Sequence, residues 1–103
     1  MKYINKKLSI ENIKVQNIAK KFGTPAYCYS YNQLKENINN FKRSFKSFSP
    51  LMCFAIKSNT NVNLISEIRK LGLGADVVSM GELMKALKAG IKPNKIVFSG
   101  VGK

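Results

Sequence analysis

A lysine at the end of an uncharged run is the residue of this chain best placed for covalent chemistry. The run has the sequence LMCFAI over residues 51–56, and Lys57 follows it directly. An uncharged run of this length predicts a strand buried on both faces, with Lys57 at its carboxyl end. Parallel sheets and barrels bind ligands at that end, where a desolvated amine can attack a carbonyl. The alternative, a lysine that only reaches solvent, is the more frequent use of such a position.

Two acidic residues in or after the next predicted strand could serve the same site. Asp76 is the only aspartate of the chain and lies within an apolar string, where a carboxylate needs a partner. Lys57 on a neighbouring strand would be such a partner, and an outward orientation towards a helix cap or water stays equally open. Glu82 ends the string S-M-G-E at 79–82, which matches the S-x-x-E capping box, so helix capping is favoured over catalysis.

The chain contains no histidine, and this excludes several kinds of site. Imidazole acid–base catalysis and most zinc centres are ruled out, and no metal site is expected. Cys28 and Cys53 have neither a metal-binding nor a redox spacing, so we expect buried, reduced thiols in a cytoplasmic protein. No apolar run approaches the length of a membrane span, and the N-terminus lacks the apolar core of a signal peptide.

The formal net charge of +13 raises the question of a polyanionic partner. Only two of the 18 basic residues are arginine, and the lysines are spread along the chain without a basic block. Nucleic-acid binding is therefore not favoured, and solvated lysine faces account better for the charge. A basic module that binds anionic polymers is kept as an alternative.

The first half of the chain predicts two helices and one strand. A helix is predicted over 9–21 with Ser9 as N-cap, stopped by Gly23, and a short strand over 26–29. A second helix follows from apolar residues spaced by three and four, which predict a buried stripe ended by Pro50. The stripe consists of Leu34, Ile38, Phe41, Phe45 and Phe48.

The second half alternates strands and helices at a spacing typical of βα units. The predicted order is a strand at 51–56, a helix at 62–71, a strand at 75–78, a helix at 80–89 and a strand at 95–98. Asn61 is a possible N-cap, and Gly72 and Gly90 end the two helices. This pattern predicts a parallel α/β sheet with right-handed crossovers, which matches about three units of a (β/α)8 TIM-type barrel. Such a sheet would be incomplete, with two open edges.

The last four residues, G-V-G-K at 100–103, resemble the end of a phosphate-binding P-loop. The full motif needs glycine at position 97, where the chain has Val97, and a serine or threonine after the lysine. The P-loop interpretation is therefore rejected.

Several strings together resemble the N-terminal part of the diaminopimelate decarboxylase family. They are F-G-T-P-A-Y at 22–27, F-A-I-K-S-N at 54–59, G-A-D-V-V-S-M-G-E-L at 74–83, A-G-I at 89–91 and I-V-F-S-G at 96–100. The order and spacing fit nearly the whole chain, and the string at 74–83 is the most specific. The family belongs to the fold-type III enzymes dependent on pyridoxal 5′-phosphate, with alanine racemase.

The resemblance implies a fold, a cofactor and a set of site residues. It implies an (α/β)8 barrel with a C-terminal β-domain, usually as a homodimer, with residues 1–30 as a leading helix and strand and 31–103 as a partial cofactor-binding barrel. Lys57 would be the lysine that forms an imine with pyridoxal phosphate. Ala55, Asp76 and Glu82 would line the cofactor pocket. The implied substrate is a small amino acid.

The resemblance leaves three functional interpretations. The first is an N-terminal fragment of a diaminopimelate decarboxylase, inactive alone because the phosphate-binding residues of the family lie downstream. The second is a related decarboxylase acting on ornithine, arginine or carboxynorspermidine. The third is a non-catalytic remnant or the basic polyanion-binding module.

Overall fold

The computed structural model describes residues 1–101, and Gly102 and Lys103 of the rejected P-loop string lie outside them. The chain divides into two compact units, one from Met1 to Ser44 and the other from Phe45 onward. No helix among the described residues is long and apolar enough to cross a membrane. Each unit has its own sheet, and the parallel sheet of the second unit carries the residues singled out above.

The first unit opens with a three-stranded antiparallel sheet in the order β1-β2-β3. Its strands are β1 (Lys2–Ile4), β2 (Lys7–Ile10) and β3 (Ile13–Lys14), followed by helices α1 (Val15–Phe22) and α2 (Tyr31–Ser44). Asn5 and Lys6 join the first two strands, with φ of 48° and 61°. Positive φ at both central residues is typical of a type I′ hairpin turn, whose twist matches the paired strands.

The predicted helix over 9–21 is wrong in its first part. Ser9 does not cap a helix; it lies in β2, where its side chain is buried and its hydroxyl donates to the carbonyl oxygen of Lys7 at 3.2 Å. The β-branched Ile10 and Ile13 face each other across the β2–β3 pair, a pairing that suits their stiff side chains. The helix therefore begins at Val15, and Gly23 ends it as predicted, with φ of 80°.

Two further predictions for this part of the chain are corrected. Residues 26–29 form no strand, because no described segment pairs with their backbone, and Cys28 is exposed rather than buried. Helix α2 ends at Ser44, so the apolar stripe runs past the helix into a turn at 45–48. Of the stripe, only Ile38 is buried, and the exposed fraction reaches 80% at Phe48. The stripe is not a core among the described residues.

The second unit confirms the predicted parallel α/β arrangement. Its sheet has the order β4-β5-β6, and both pairs are parallel. The elements are β4 (Cys53–Ala55), a one-turn 3₁₀ helix (Ile56–Ser58), α3 (Val62–Lys70), β5 (Gly74–Val77), α4 (Met80–Lys88), a second 3₁₀ turn (Pro93–Lys95) and β6 (Ile96–Phe98). Each crossover contains one helix of nine residues, as the spacing of the motifs predicts.

The core of this unit lies between the sheet and its helices. Its buried members are Ile56, Ile65, Ala75, Val77, Ala86, Ala89 and Ile91. Because side chains alternate along a strand, Ala75 and Val77 point into this core while Asp76 points to the opposite face. The predicted strand 51–56 is shorter and only half-buried, and Ile56 leaves it to enter the core through the 3₁₀ turn.

Side-chain caps begin both helices of the second unit. The Asn61 carboxamide oxygen accepts from the backbone N–H of Asn63 at 2.9 Å and of Leu64 at 3.4 Å. The Ser79 hydroxyl accepts from the N–H of Glu82 at 3.2 Å. These bonds satisfy donors that a helix leaves unpaired at its start, and they confirm both caps predicted from the sequence.

A carboxylate from the β2–β3 turn supports the start of α2 in the first unit. One oxygen of Glu11 accepts from the Ser30 hydroxyl at 2.8 Å and from the backbone N–H of Asn32 at 2.9 Å. Both bonds favour the charged carboxylate, and they lower the pKa of Glu11 below its ordinary value of 4.5. A negative charge at a helix N-terminus is also favoured by the helix dipole.

We predict that Glu11 stabilises the first unit in a pH-dependent way. Because the folded pKa lies below the unfolded value, the contribution is complete above about pH 4.5 and is lost as the pH falls through the folded pKa. Glu11→Gln should lower the free energy of unfolding at pH 7. The difference in this free energy between wild type and variant should become smaller as the pH falls. Urea unfolding across this range measures the difference.

Glu36→Gln is the matched control for this prediction. It removes the same charge from an exposed position of α2 that makes neither bond to Ser30 nor to Asn32. A Glu11→Gln effect that equals the control, or that persists undiminished at acidic pH, would contradict the assignment.

Gly74 allows β5 to lie close to the segment before β6. A Cβ atom at this position would lie 2.2 Å from the carbonyl oxygen of Lys95 and 3.1 Å from Sγ of Cys53. The backbone oxygen cannot move aside without disturbing the β5–β6 pairing. We predict that Gly74→Ala destabilises the protein by about 1–3 kcal/mol or more, the usual range for overpacking.

Gly81→Ala is the control for the Gly74 substitution. A Cβ atom there would have only the Ser79 hydroxyl within 4 Å, at 3.9 Å, and the residue lies in the first turn of α4. Alanine in a helix should leave stability unchanged or raise it by up to about 1 kcal/mol. Equal urea midpoints for the two variants would show that Gly74 is not tightly confined.

Candidate functional site

The residues predicted to do chemistry gather at one end and one face of the parallel sheet. In the register, Ala55 of β4 lies beside Asp76 of β5, and Asp76 lies beside Val97 of β6. Side chains at one level of a parallel sheet point to the same face. The face of the sheet opposite the core is called the open face. It carries Cys53, Ala55, Asp76, Val97 and, just past β6, Ser99.

Lys57 lies in the 3₁₀ turn that directly follows β4, and its side chain is exposed. The turn is held by the buried Ile56, by the Ser58 hydroxyl donating to the carbonyl oxygen of Ala55 at 2.7 Å, and by the N–H of Asn59 donating to Ile56 at 3.0 Å. These contacts place Lys57 at the carboxyl end of the sheet, as the sequence predicts. They restrain its backbone and leave its amine accessible.

Asp76 has a different partner from the one that the sequence suggested. Among residues 1–101 its carboxylate makes no ion pair with Lys57. Instead, the Ser99 hydroxyl donates to Oδ1 of Asp76 at 2.5 Å. Ser99 was not assigned a role from the sequence, although its position after the third strand was a usable indication. The carboxyl ends of neighbouring parallel strands meet, so polar residues there can bond.

Only half of the predicted capping box at Ser79 and Glu82 is formed as the pattern predicts. Its Oε2 accepts from the backbone N–H of Val78 at 2.9 Å, while its own N–H donates to the Ser79 hydroxyl. The carboxylate therefore reaches back one residue further than in the usual capping box, in which the N-cap N–H is the donor. Glu82 thus ties the end of β5 to the start of α4.

Cys53 lies on the open face at the amino end of β4 and is half-buried. Burial, and the negative charge of Asp76, raise the pKa of the Cys53 thiol above its ordinary value. The thiolate is the reactive form of cysteine, so this thiol stays protonated at neutral pH and is a weak nucleophile. For bonding to an aldehyde, the exposed Lys57 is the better candidate, because a primary amine condenses with an aldehyde to an imine and a thiol does not.

The arrangement combines an accessible primary amine, a carboxylate and a hydroxyl at the carboxyl end of adjacent strands. An amine can bond covalently to a carbonyl compound, and a nearby carboxylate can accept or return a proton. Ala55, with its small side chain, lies next to Asp76 in the register. This geometry suits a ligand with a reactive carbonyl group.

The chain is similar to proteins of a known family. Residues 31–103 match the family of pyridoxal-dependent decarboxylases, over its pyridoxal binding domain. A diaminopimelate decarboxylase of Aquifex aeolicus is 44% identical over 103 residues, covering 100% of this chain and 24% of that protein. One from Helicobacter pylori is 51% identical over 82 residues, covering 80% of this chain and 20% of the relative.

Solved structures agree with the sequence relatives. A crystal structure of an Aquifex aeolicus protein, 44% identical in sequence, superposes with a TM-score of 0.92. The match covers 99% of this chain and 25% of the Aquifex chain. The crystal structure of diaminopimelate decarboxylase from m. jannaschi has a TM-score of 0.91 at 35% identity, and the match covers 96% of this chain and 24% of that protein's chain. The Helicobacter pylori enzyme, crystallised with L-lysine, has a TM-score of 0.80 at 44% identity. The match covers 87% of this chain and 23% of the Helicobacter chain.

The chain spans about a fifth to a quarter of the length of these relatives. The match nevertheless includes the parallel sheet and every residue of the candidate site, since all of them lie within residues 31–103. By sequence and by fold, the chain belongs to the pyridoxal-dependent decarboxylases and matches the pyridoxal binding domain of that family.

Proposed function

We propose that this chain forms the N-terminal part of a diaminopimelate decarboxylase, which removes one carboxyl group of meso-2,6-diaminopimelate to give L-lysine and carbon dioxide. The observation that carries the proposal is the exposed amine of Lys57 at the carboxyl end of β4, next to the strand that holds Asp76. The names of relatives that are 41–51% identical support the choice of substrate.

The proposed enzyme would contain further strands, helices and a second domain in addition to residues 1–101. The sheet order β4-β5-β6 leaves the outer edges of β4 and β6 without a partner strand among residues 1–101. Later βα units would pair with these edges and close a (β/α)8 barrel, and a C-terminal β-domain would pack against the segment 1–30. Like the family it resembles, the enzyme would act as a homodimer in the cytoplasm.

The residues of the site fit pyridoxal phosphate as the cofactor. The cofactor carries an aldehyde, and Lys57 offers an accessible amine that makes no ion pair within residues 1–101. The cofactor ring would lie beside Asp76, over the small side chain of Ala55. When bound, the cofactor supplies an electron sink for the pair of electrons left behind as carbon dioxide departs.

The side chains of this chain would have distinct roles in that reaction. Nζ of Lys57 would hold the cofactor covalently and would be released when the substrate amine replaces it. The carboxylate of Asp76 would face the positive charges of the site with the oxygen that Ser99 does not occupy. Glu82 would act indirectly, because its carboxylate holds the Val78 backbone that follows β5.

We predict that Lys57 is the lysine that bonds to the cofactor. Incubating the intact protein that carries residues 1–103 with pyridoxal phosphate and then with borohydride should give a stable adduct, and peptide mapping should place it on Lys57. Lys57→Arg should lose most of this labelling, because a guanidinium forms no stable bond with the aldehyde.

Lys92→Arg is the control for the labelling experiment. Lys92 is also an exposed lysine next to a 3₁₀ turn, but its turn precedes β6 and so lies at the amino end of the sheet. Its substitution should leave the labelling unchanged. An adduct distributed evenly over the lysines of the protein would refute the role of Lys57.

A substrate panel tests the reaction itself. The intact protein should release carbon dioxide from meso-2,6-diaminopimelate with a kcat/KM well above those for ornithine, arginine and carboxynorspermidine. Preference for one of the other three would keep the cofactor assignment and overturn the substrate. Specific labelling of Lys57 without release of carbon dioxide from any of them would overturn the proposed reaction while retaining the cofactor site.

A further inference from the structure

Ser99 makes a contact that links two adjacent strands of the site. Its hydroxyl donates to Oδ1 of Asp76 at 2.5 Å, across a separation of 23 residues in the chain. A distance of this size is typical of a hydroxyl bonded to a charged carboxylate, which is stronger than a bond between neutral groups. The bond connects the residue after β6 to the acidic residue of β5.

The backbone around Ser99 is itself held against β5. The N–H of Ser99 donates to the carbonyl oxygen of Val77 at 3.0 Å, which extends the β5–β6 pairing past the end of β6. At Gly100, a Cβ atom would lie 2.6 Å from the carbonyl oxygen of Val78, so the chain runs unusually close to β5 there. The backbone that carries the Ser99 hydroxyl is therefore held by contacts at Ser99 and at Gly100.

Asp76 has few other groups that could orient it. The residues beside it in the register, Ala55 and Val97, have apolar side chains and cannot hydrogen-bond to a carboxylate. Among residues 1–101, no lysine or arginine forms an ion pair with it. Asp76 is only half-buried, so packing alone leaves its short side chain more than one orientation.

We propose that Ser99 is a positioning residue, whose hydroxyl holds the carboxylate of Asp76 in one orientation on the open face so that its second oxygen faces the site. The proposal deepens the proposed function and rests on it, because the orientation of Asp76 matters only if Asp76 serves the cofactor site. Ser99 itself touches neither cofactor nor substrate in this account. It acts only through Asp76.

The first test follows the Asp76 carboxylate without using catalysis. The pKa of the Cys53 thiol is raised by burial and by the charge of Asp76, so it reports on that charge. In the intact protein, Cys53 alkylation should be followed against pH with residue-resolved mass spectrometry. Asp76→Asn should lower the pH midpoint, because it removes the negative charge.

The serine variants then decide whether Ser99 holds that charge in place. Ser99→Ala should displace the midpoint of Cys53 from the wild-type value, and Ser99→Thr, which keeps a hydroxyl, should not. In the Asp76→Asn background, Ser99→Ala should have no further effect. Ser44→Ala removes another hydroxyl, one that donates to the carbonyl oxygen of Asn40 in α2, and should leave the midpoint unchanged. A wild-type midpoint in Ser99→Ala overturns the proposal.

The second test measures decarboxylation of diaminopimelate by the same variants. Ser99→Ala should lower kcat by about tenfold to a hundredfold, the range expected for losing a hydrogen bond to a charged group, with a smaller change in KM. Ser99→Thr should restore most of kcat, and Ser99→Ala should add little to Asp76→Asn, since residues that act as a unit are not additive.

The two tests separate the proposal from the function on which it rests. A wild-type protein that decarboxylates no member of the substrate panel refutes the proposed function, whatever the alkylation experiment shows. An active wild type whose kcat is unaffected by Ser99→Ala refutes the role of Ser99 alone. Equal losses of kcat from Ser99→Ala in the wild-type and Asp76→Asn backgrounds also refute it, because Ser99 would then act independently of Asp76.

Discussion

The parallel pairing of β5 on both of its edges is the constraint on which the candidate site depends. In the register of the sheet, Ala55 of β4 and Val97 of β6 both lie beside Asp76 of β5, so one level of the sheet carries Asp76 at its centre. This pairing requires a close approach at Gly74, where no side chain would fit. Shifting the register of β5 by one residue would turn Asp76 into the core and expose its apolar neighbours. The site and the core are therefore specified by the same hydrogen bonds.

The two faces of the sheet then take separate roles. One face packs against α3 and α4 through fully buried residues such as Ala75 and Val77. The other carries the polar residues, and the turn after β4 brings Lys57 to its carboxyl end while Ile56 anchors that turn in the core. Capping by Ser79 and Glu82 fixes the corresponding exit from β5. The side chains that could do chemistry are thus held by neighbours whose own role is structural. Rigid scaffolds commonly position reactive groups in loops in this way.

Sequence patterns were most reliable where local chemistry decides the structure. The caps at Asn61 and Ser79 and the helix-ending Gly23 follow from hydrogen bonds within a few residues, and they appear as predicted. The helix predicted from Ser9 failed because residues 9–10 and 13–14 pair in antiparallel hairpins, and this strand pairing outweighs the helical periodicity of the sequence. The exposed stripe around Phe48 shows the same limit, since periodicity indicates an apolar face but does not identify what covers it.

Residue types and their spacing were enough to predict the parallel βα order, the place of Lys57 after the first strand of that order, and the family resemblance that the relatives confirm. These features depend on residue types, their spacing and short motifs, all of which are local. The folded structure was needed to identify the partner of Asp76, because Ser99 comes 23 residues later in the chain and reaches Asp76 through the register of the strands. It also decided that Glu82 bonds to the Val78 backbone and that Cys53 lies within the influence of the Asp76 charge. Contacts between strands depend on which backbones pair and in what register, and that is settled only when the whole sheet forms.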